Sequence, residues 1–161
     1  MDAMLITAAQ EGNVDDIKVL LRRGANIDYQ DEGGLTALHH AAWNAHFDAV
    51  ELLVSRGANV KLLSNFDSTP LHSAACKNQP RTIHLLLTHG APVNVQNGGG
   101  LTPLHYASTK GHADTARALL DKGAQVNAQD AEGRLSSQYS FQYPSQASLK
   151  RTEGLAIHKS S

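Results

Sequence analysis

The chain has 161 residues, enough for one domain with its own core. Its 14 basic and 15 acidic residues give a net charge of −1 without a long run of either sign, so composition offers no footprint for nucleic acid or an anionic membrane. The single cysteine cannot form an internal disulfide, and no apolar stretch is long enough to span a bilayer. The N-terminus lacks a secretory signal, so we expect a monomeric cytoplasmic or nuclear protein.

A period of 33 residues organises the chain. Gly24, Gly57, Gly90 and Gly123 are each followed by alanine and lie 33 residues apart. A period that several residue types keep together predicts a stack of similar structural units. The other residues with this spacing are His39, His72 and His105; Thr36, Thr69 and Thr102; and Leu38, Leu71 and Leu104.

Each unit carries the signals of two helices. Thr69 and Thr102 precede a proline, which places an N-capping threonine before a proline at the first helical position, where a missing N–H costs nothing. Apolar residues then recur at helical spacing before each Gly-Ala pair, which predicts a second helix and an extended turn. The first helices are expected to end near four positions, three of which hold residues that tolerate a left-handed conformation: Gly12, Ala45, Asn78 and Gly111.

The motif GxTPLHxAA, followed by a second helix that ends LLxxGAxVN, resembles the ankyrin repeat. The resemblance covers about residues 3–130 and implies an all-α solenoid of stacked helix-turn-helix units with projecting β-hairpin fingers. The implied repeats are about 3–30, 31–63, 64–96 and 97–129. The first begins within its first helix, as N-terminal caps of the family do. The family also implies that the motif histidine is hydrogen-bonded within the stack.

The repeat pattern stops after residues 130–133. Where a fifth repeat needs Thr-Pro-Leu-His, residues 134–138 read RLSSQ, and the chain becomes rich in Ser, Gln and Tyr. We expect residues 131–161 to be a tail that is either disordered or an irregular C-terminal cap, made by residues 155–157 or by an aromatic of residues 139–143. Because the fourth repeat has no evident polar cap, a further hypothesis is a truncated or alternatively spliced product of a longer repeat protein, with little autonomous function.

Asp67, His72 and Cys76 are the residue types of an activated thiol nucleophile. His72, however, has equivalents at His39 and His105, neither of which has a cysteine four residues on. We therefore interpret His72 as structural, and a Cys76/His72 thiol enzyme is the disfavoured alternative. The sequence also lacks zinc-ligand spacing and a phosphate-binding motif, so we predict no catalytic residue, metal or cofactor.

The resemblance implies that partner proteins contact the fingers and the outer side of the first helices. At these positions the chain carries Trp43 and Phe66, where a solvated module would favour polar residues, which indicates a partner site. We predict a non-enzymatic adaptor or inhibitor that binds another protein through this concave face. The predicted partner-binding residues are Leu35, Trp43, Asn44, Leu63, Asn65, Phe66, Cys76, Lys77, Leu101, Thr109 and Lys110.

Asn94 and Asn127 are the asparagines of the GAxVN motif, each with a leucine eight residues upstream. They resemble the sites that an iron-dependent asparaginyl hydroxylase modifies in ankyrin proteins, so the resemblance adds hydroxylation at both as a hypothesis. Turn hydrogen bonds made by this asparagine are a sufficient structural alternative.

Overall fold

A computed structural model of the chain describes residues 1–136, which contain eight α-helices arranged as four pairs. The first helices of the pairs pack on one another in order, α1 on α3, α3 on α5 and α5 on α7, and the second helices form a parallel layer. This two-layer stack confirms the predicted all-α solenoid. No helix of the described part has the length and apolar character needed to cross a membrane. The first helices are α1 (Asp2–Glu11), α3 (Ala37–Trp43), α5 (Pro70–Cys76) and α7 (Pro103–Lys110), and the second helices are α2 (Val14–Arg22), α4 (Phe47–Ser55), α6 (Pro80–Thr88) and α8 (Ala113–Asp121).

The first helices begin and end at the residues that the sequence indicates. Thr36, Thr69 and Thr102 are the N-caps, and proline is the first residue of α5 and α7. The residues that end the first helices have positive φ: Gly12 69°, Ala45 60°, Asn78 53° and Gly111 69°. Each chain reversal therefore uses a left-handed residue to redirect the backbone into the second helix.

The core lies between the two layers. Leu38, Leu71 and Leu104 of the repeat motif are buried under the second helices, where Leu53 and Leu86 are completely buried. Alanines cover the faces through which neighbouring first helices contact each other, which lets these helices approach closely. Each repeat thus buries its apolar surface against its neighbours, as expected for a stack.

Three buried histidines link successive repeats, and we call them the histidine ladder: His39, His72 and His105. Each Nδ1 accepts the backbone N–H of the N-capping threonine, at 3.1 Å for His72 and Thr69. An Nδ1 that accepts is unprotonated, so Nε2 carries the proton and donates to a carbonyl of the next repeat, at 2.8 Å to Leu101 O in the case of His72. The ladder therefore joins helix starts to the following fingers, as the resemblance implied.

The fingers are stacked tight turns at residues 31–35, 64–68, 97–101 and 130–134, each closed by a backbone hydrogen bond between its first and last residues. Successive fingers are also joined by single backbone bonds, such as Asn65 N–H to Gly33 O at 2.9 Å. These turns are the projecting fingers that the resemblance implied, and within residues 1–136 the one isolated β-bridge pairs Gln129 with Leu135.

The stack continues beyond residue 130, where the predicted tail begins. In the fourth finger, Asp130 Oδ1 accepts the backbone N–H groups of Glu132 and Arg134 at 2.9 Å each. Ser136 then donates its hydroxyl to Val126 O at 2.7 Å. Residues 130–136 are thus hydrogen-bonded to the fourth repeat. The cap segments suggested for residues 139–143 and 155–157 lie outside the described residues.

Candidate functional site

A groove of about 640 Å³ opens between the fingers and the first helices, centred on the second and third repeats. The helices α3 and α5 form its floor, the first two fingers form one wall, and α7 contributes Tyr106 at one end. The lining residues are Gln10, Leu35, His39, His40, Trp43, Asn44, Ser64, Phe66, Ser68, His72, Ser73, Cys76 and Tyr106.

Five predicted partner-binding residues line this groove: Leu35, Trp43, Asn44, Phe66 and Cys76. Trp43 is 46% exposed at the last position of α3, and Phe66 is 76% exposed in the second finger. Side chains this exposed leave apolar surface in contact with water. Burying that surface against a partner would lower the free energy, which is why such surfaces often mark binding sites. The groove is therefore a candidate contact surface at which predicted contact residues and an observed cavity coincide.

The fingers hold their shape through local hydrogen bonds. Asp31 Oδ1 accepts the backbone N–H groups of Gly33 and Leu35 at 2.9 Å each, and Asn97 makes the equivalent bonds in the third finger. In the second finger the Ser64 hydroxyl accepts the N–H of Phe66 at 3.2 Å. These bonds position the finger wall before any partner arrives.

The other predicted residues lie at the rim or away from the groove. Lys77 Nζ lies 4.3 Å from the centre of the Trp43 ring, in a cation–π contact at the rim. Asn65 donates its amide to Glu32 O at 2.8 Å and so links two fingers. The exposed Leu63 precedes the second finger, and Leu101, Thr109 and Lys110 belong to the third finger and the end of α7.

Eight groove residues are not among the predicted contact residues, and three of them share one position of the first helices: His40, Ser73 and Tyr106. Each follows a ladder histidine and lies three residues before a predicted contact position, hence on the same helix face. His40 and Tyr106 also contact the fingers. His40 Nε2 lies 2.8 Å from Asp31 Oδ2, and the Tyr106 hydroxyl accepts from Asn97 Nδ2 at 2.9 Å. Their spacing of three from the predicted contact residues Trp43, Cys76 and Thr109 was the signal that could have identified them.

The surroundings of Asp31 and Tyr106, which lie where the fingers meet the first helices, shift the pKa values of both side chains. Burial alone would raise the pKa of Asp31, but hydrogen bonds from His40 and from the backbone N–H groups of Leu35 and Gly33 lower it below its usual 3.8. Burial raises the pKa of Tyr106, so its hydroxyl stays protonated. Asp31 is therefore ionised near neutral pH and bonded to His40 at the groove wall.

The His72–Cys76 pair does not have the geometry of a thiol active site. Both ring nitrogens of His72 are engaged, Nδ1 by Thr69 and Nε2 by Leu101 O. Burial also lowers the pKa of His72 to about 4, which makes it a weak base. Asp67 is exposed in the second finger. These contacts leave His72 no free nitrogen with which to activate Cys76.

Two further predictions concern metal binding and hydroxylation. Among residues 1–136, no group of three or more His, Cys, Asp or Glu is arranged to hold a metal ion. Asn94 is half-buried, accepts the N–H of Gln125 at 2.8 Å and donates to Gly123 O at 3.1 Å, so its side chain links successive repeats instead of closing a local turn. Asn127 is exposed. Hydroxylation at both positions stays a hypothesis.

Comparison with known families gives two matches. A family model described as ankyrin repeats in three copies matches residues 57–130, and one described as ankyrin repeats in many copies matches residues 5–54. The two matched ranges together span the four helix pairs apart from the first residues of α1 and the last residue of α4. No curated protein sequence matches the chain significantly.

Proposed function

Because the chain belongs to the ankyrin-repeat family, whose repeats generally mediate protein–protein interactions, we propose that it binds a partner protein through the groove between its fingers and first helices. The observation that carries this proposal is the exposure of Trp43 and Phe66 on a groove of about 640 Å³. Aromatic side chains are the residues that most often dominate binding energy at protein interfaces.

Preorganisation supports the same function. The finger wall is fixed by the bonds of Asp31, Ser64 and Asn97, and the helix floor is fixed by the histidine ladder. A partner that docks on this surface immobilises few additional backbone groups, so less of its contact energy is offset by lost entropy. An adaptor and an inhibitor would use the groove in the same way, and either role fits a monomer in the cytoplasm or the nucleus.

The test is binding by the double variant Trp43→Ala/Phe66→Ala. Proteins captured by the wild-type chain are identified, purified and titrated directly against both proteins. Loss of one interface anchor costs about 2 kcal/mol, or about 30-fold in Kd, so the double variant is expected to bind at least 30-fold more weakly.

Val19→Ala is the matched control, because Val19 is 40% exposed on α2 and does not line the groove. Circular dichroism checks that both variants are folded. Equal affinities of the wild type and the double variant for a purified partner would place the contact elsewhere and contradict the proposal.

A further inference from the structure

The helix rim of the groove carries an uneven distribution of charge. One position near the end of each first helix holds Gln10, Trp43, Cys76 or Thr109. The residue that follows it is, from the first repeat to the fourth, Glu11, Asn44, Lys77 and Lys110. Lys77 and Lys110 are exposed, and neither forms an ion pair with any residue between positions 1 and 136. The rim is therefore acidic at the first repeat, neutral at the second, and basic at the third and fourth.

Lys77 places its charge beside the apolar opening. Its ammonium lies 4.3 Å from the centre of the Trp43 ring, so this cation stands over the exposed aromatic surface of the groove. A ligand side chain that enters next to Trp43 must meet this charge. A carboxylate there gains an ion pair, whereas a basic group is repelled.

The finger wall has the opposite character. Glu32 and Asp67 are exposed acidic residues in the first two fingers. The cation of the fourth finger, Arg134, is held by Asp130 at 2.9 Å and by Glu132 at 3.1 Å. The described part of the chain thus offers free positive charge to a ligand along the helix rim of the third and fourth repeats.

We propose, on the basis of the function proposed above, that the groove recognises an acidic peptide segment of its partner. A large apolar side chain enters between Trp43 and Phe66, and neighbouring Asp or Glu carboxylates pair with Lys77 and Lys110. The two lysines lie one repeat apart, and stacked helices are about 10 Å apart, which an extended peptide spans in about three residues. The acidic part of the segment points toward the fourth repeat, because Glu11 occupies the same rim position in the first repeat.

A random-peptide phage library tests this chemistry without a known partner. The library is selected on the full wild-type chain and depleted on Trp43→Ala/Phe66→Ala, which keeps only groove-dependent peptides. Retained peptides are expected to contain one large apolar residue with at least two Asp or Glu residues near it. Synthetic copies are then titrated against folded variants, with the fluorescence of Trp43, the only tryptophan, as a direct reporter.

The variant Lys77→Glu/Lys110→Glu is expected to bind these peptides about tenfold or more weakly, because two attractions become repulsions. Lys61→Glu/Lys122→Glu is the matched control, since it changes net charge equally at two exposed lysines away from the helix rim, one in the loop after α4 and one at the end of α8. Lys77→Arg keeps both the charge and the contact with Trp43, so it is expected to retain binding.

The outcomes separate the two proposals. Groove-dependent peptides that lack an acidic bias, or that bind Lys77→Glu/Lys110→Glu as well as the wild type, would overturn the acidic-segment proposal and leave groove binding intact. A selection that yields no groove-dependent peptide would also overturn the acidic-segment proposal, while the proposed function is decided by the titration of a purified partner against Trp43→Ala/Phe66→Ala.

Discussion

His39 and His40 are adjacent in the chain but belong to two regions with different roles. His39 is 1% exposed and is part of the histidine ladder, where His72 and His105 make the same contacts one and two repeats later. His40 lines the groove, and its equivalents are Ser73 and Tyr106, three different chemistries at one position. His39 and His72 border the groove too, but both of their ring nitrogens are bonded within the stack, so the constant position holds the repeats together whereas the variable position shapes the groove.

The difference has a physical origin. A ladder histidine must accept from a threonine N–H and donate to a carbonyl one repeat away, which a neutral imidazole does at both ends of one ring. The residues at the position after the ladder histidine make fewer obligatory bonds: His40 bonds to Asp31 and to Gln10, and Tyr106 bonds to Asn97. Many side chains meet that weaker requirement, so this column is free to vary.

The largest expected effect is the loss of a ladder histidine. His72→Ala removes the acceptor of the Thr69 N–H and the donor to Leu101 O, and leaves two buried polar groups and a cavity. At roughly 1–3 kcal/mol for each unsatisfied group, the free energy of unfolding should fall by about 4 kcal/mol. Urea denaturation measures this.

Trp43→Ala is the groove counterpart of that variant. Trp43 is nearly half exposed, so its loss should cost only about 1 kcal/mol of stability while it weakens partner binding. Equal losses of stability in the two variants would show that the ladder and the groove are not distinct regions in energetic terms.

Acidification should weaken the ladder and spare the apolar contacts of the groove. Burial lowers the pKa of His72 to about 4 from 6.5, and it also lowers the pKa values of His39 and His105. Between pH 6.5 and 4 the unfolded chain binds protons that the folded chain does not, so stability is fully present above pH 6.5 and is lost as the pH falls. His72 alone should contribute on the order of 2 kcal/mol of loss between pH 7 and 5.

Urea unfolding at pH 7, 6 and 5 measures the slope. His72→Gln should flatten it, and His84→Gln should not, because His84 is exposed on α6. Asp31 acts in a different window, since its lowered pKa takes stability away only as the pH falls below about 3.8. A free energy of unfolding that does not change between pH 7 and 5 would mean that the ladder histidines are not neutral donors and acceptors.

The sequence predicted the scaffold better than the groove. A threonine before proline, as at Thr69, indicates a helix start by its capping chemistry, and the histidine recurs with the repeat period. The helix starts and the ladder position were therefore predictable from local sequence. Trp43 and Phe66 were predicted to face outward, and the structure places both at the groove.

The remaining groove residues depend on features that a repeat pattern does not contain. Leu63 and Leu101 were predicted contact residues, yet neither lines the groove. Tyr106 also lines it, and its hydroxyl accepts from the Asn97 amide, a contact within the fourth repeat that depends on the identity of both side chains. Packing between side chains of this kind is set by three-dimensional geometry, so periodicity alone could not supply it.

The smallest expected effect is at Ala45, which ends a first helix where the other three repeats have glycine or asparagine. Ala45 has φ 60°, a left-handed conformation that costs a residue with Cβ roughly 1–2 kcal/mol. Glycine removes that strain but adds roughly 0.4–1 kcal/mol of unfolded-state entropy, so Ala45→Gly should raise the free energy of unfolding by about 0.5–1 kcal/mol. The reverse change one repeat earlier, Gly12→Ala, should destabilise, because its new Cβ would lie 2.6 Å from the His46 ring at φ 69°. If both substitutions shift the urea midpoint in the same direction, strain at positive φ does not decide which residue is favoured at these positions, and the assignment of this column to the scaffold fails.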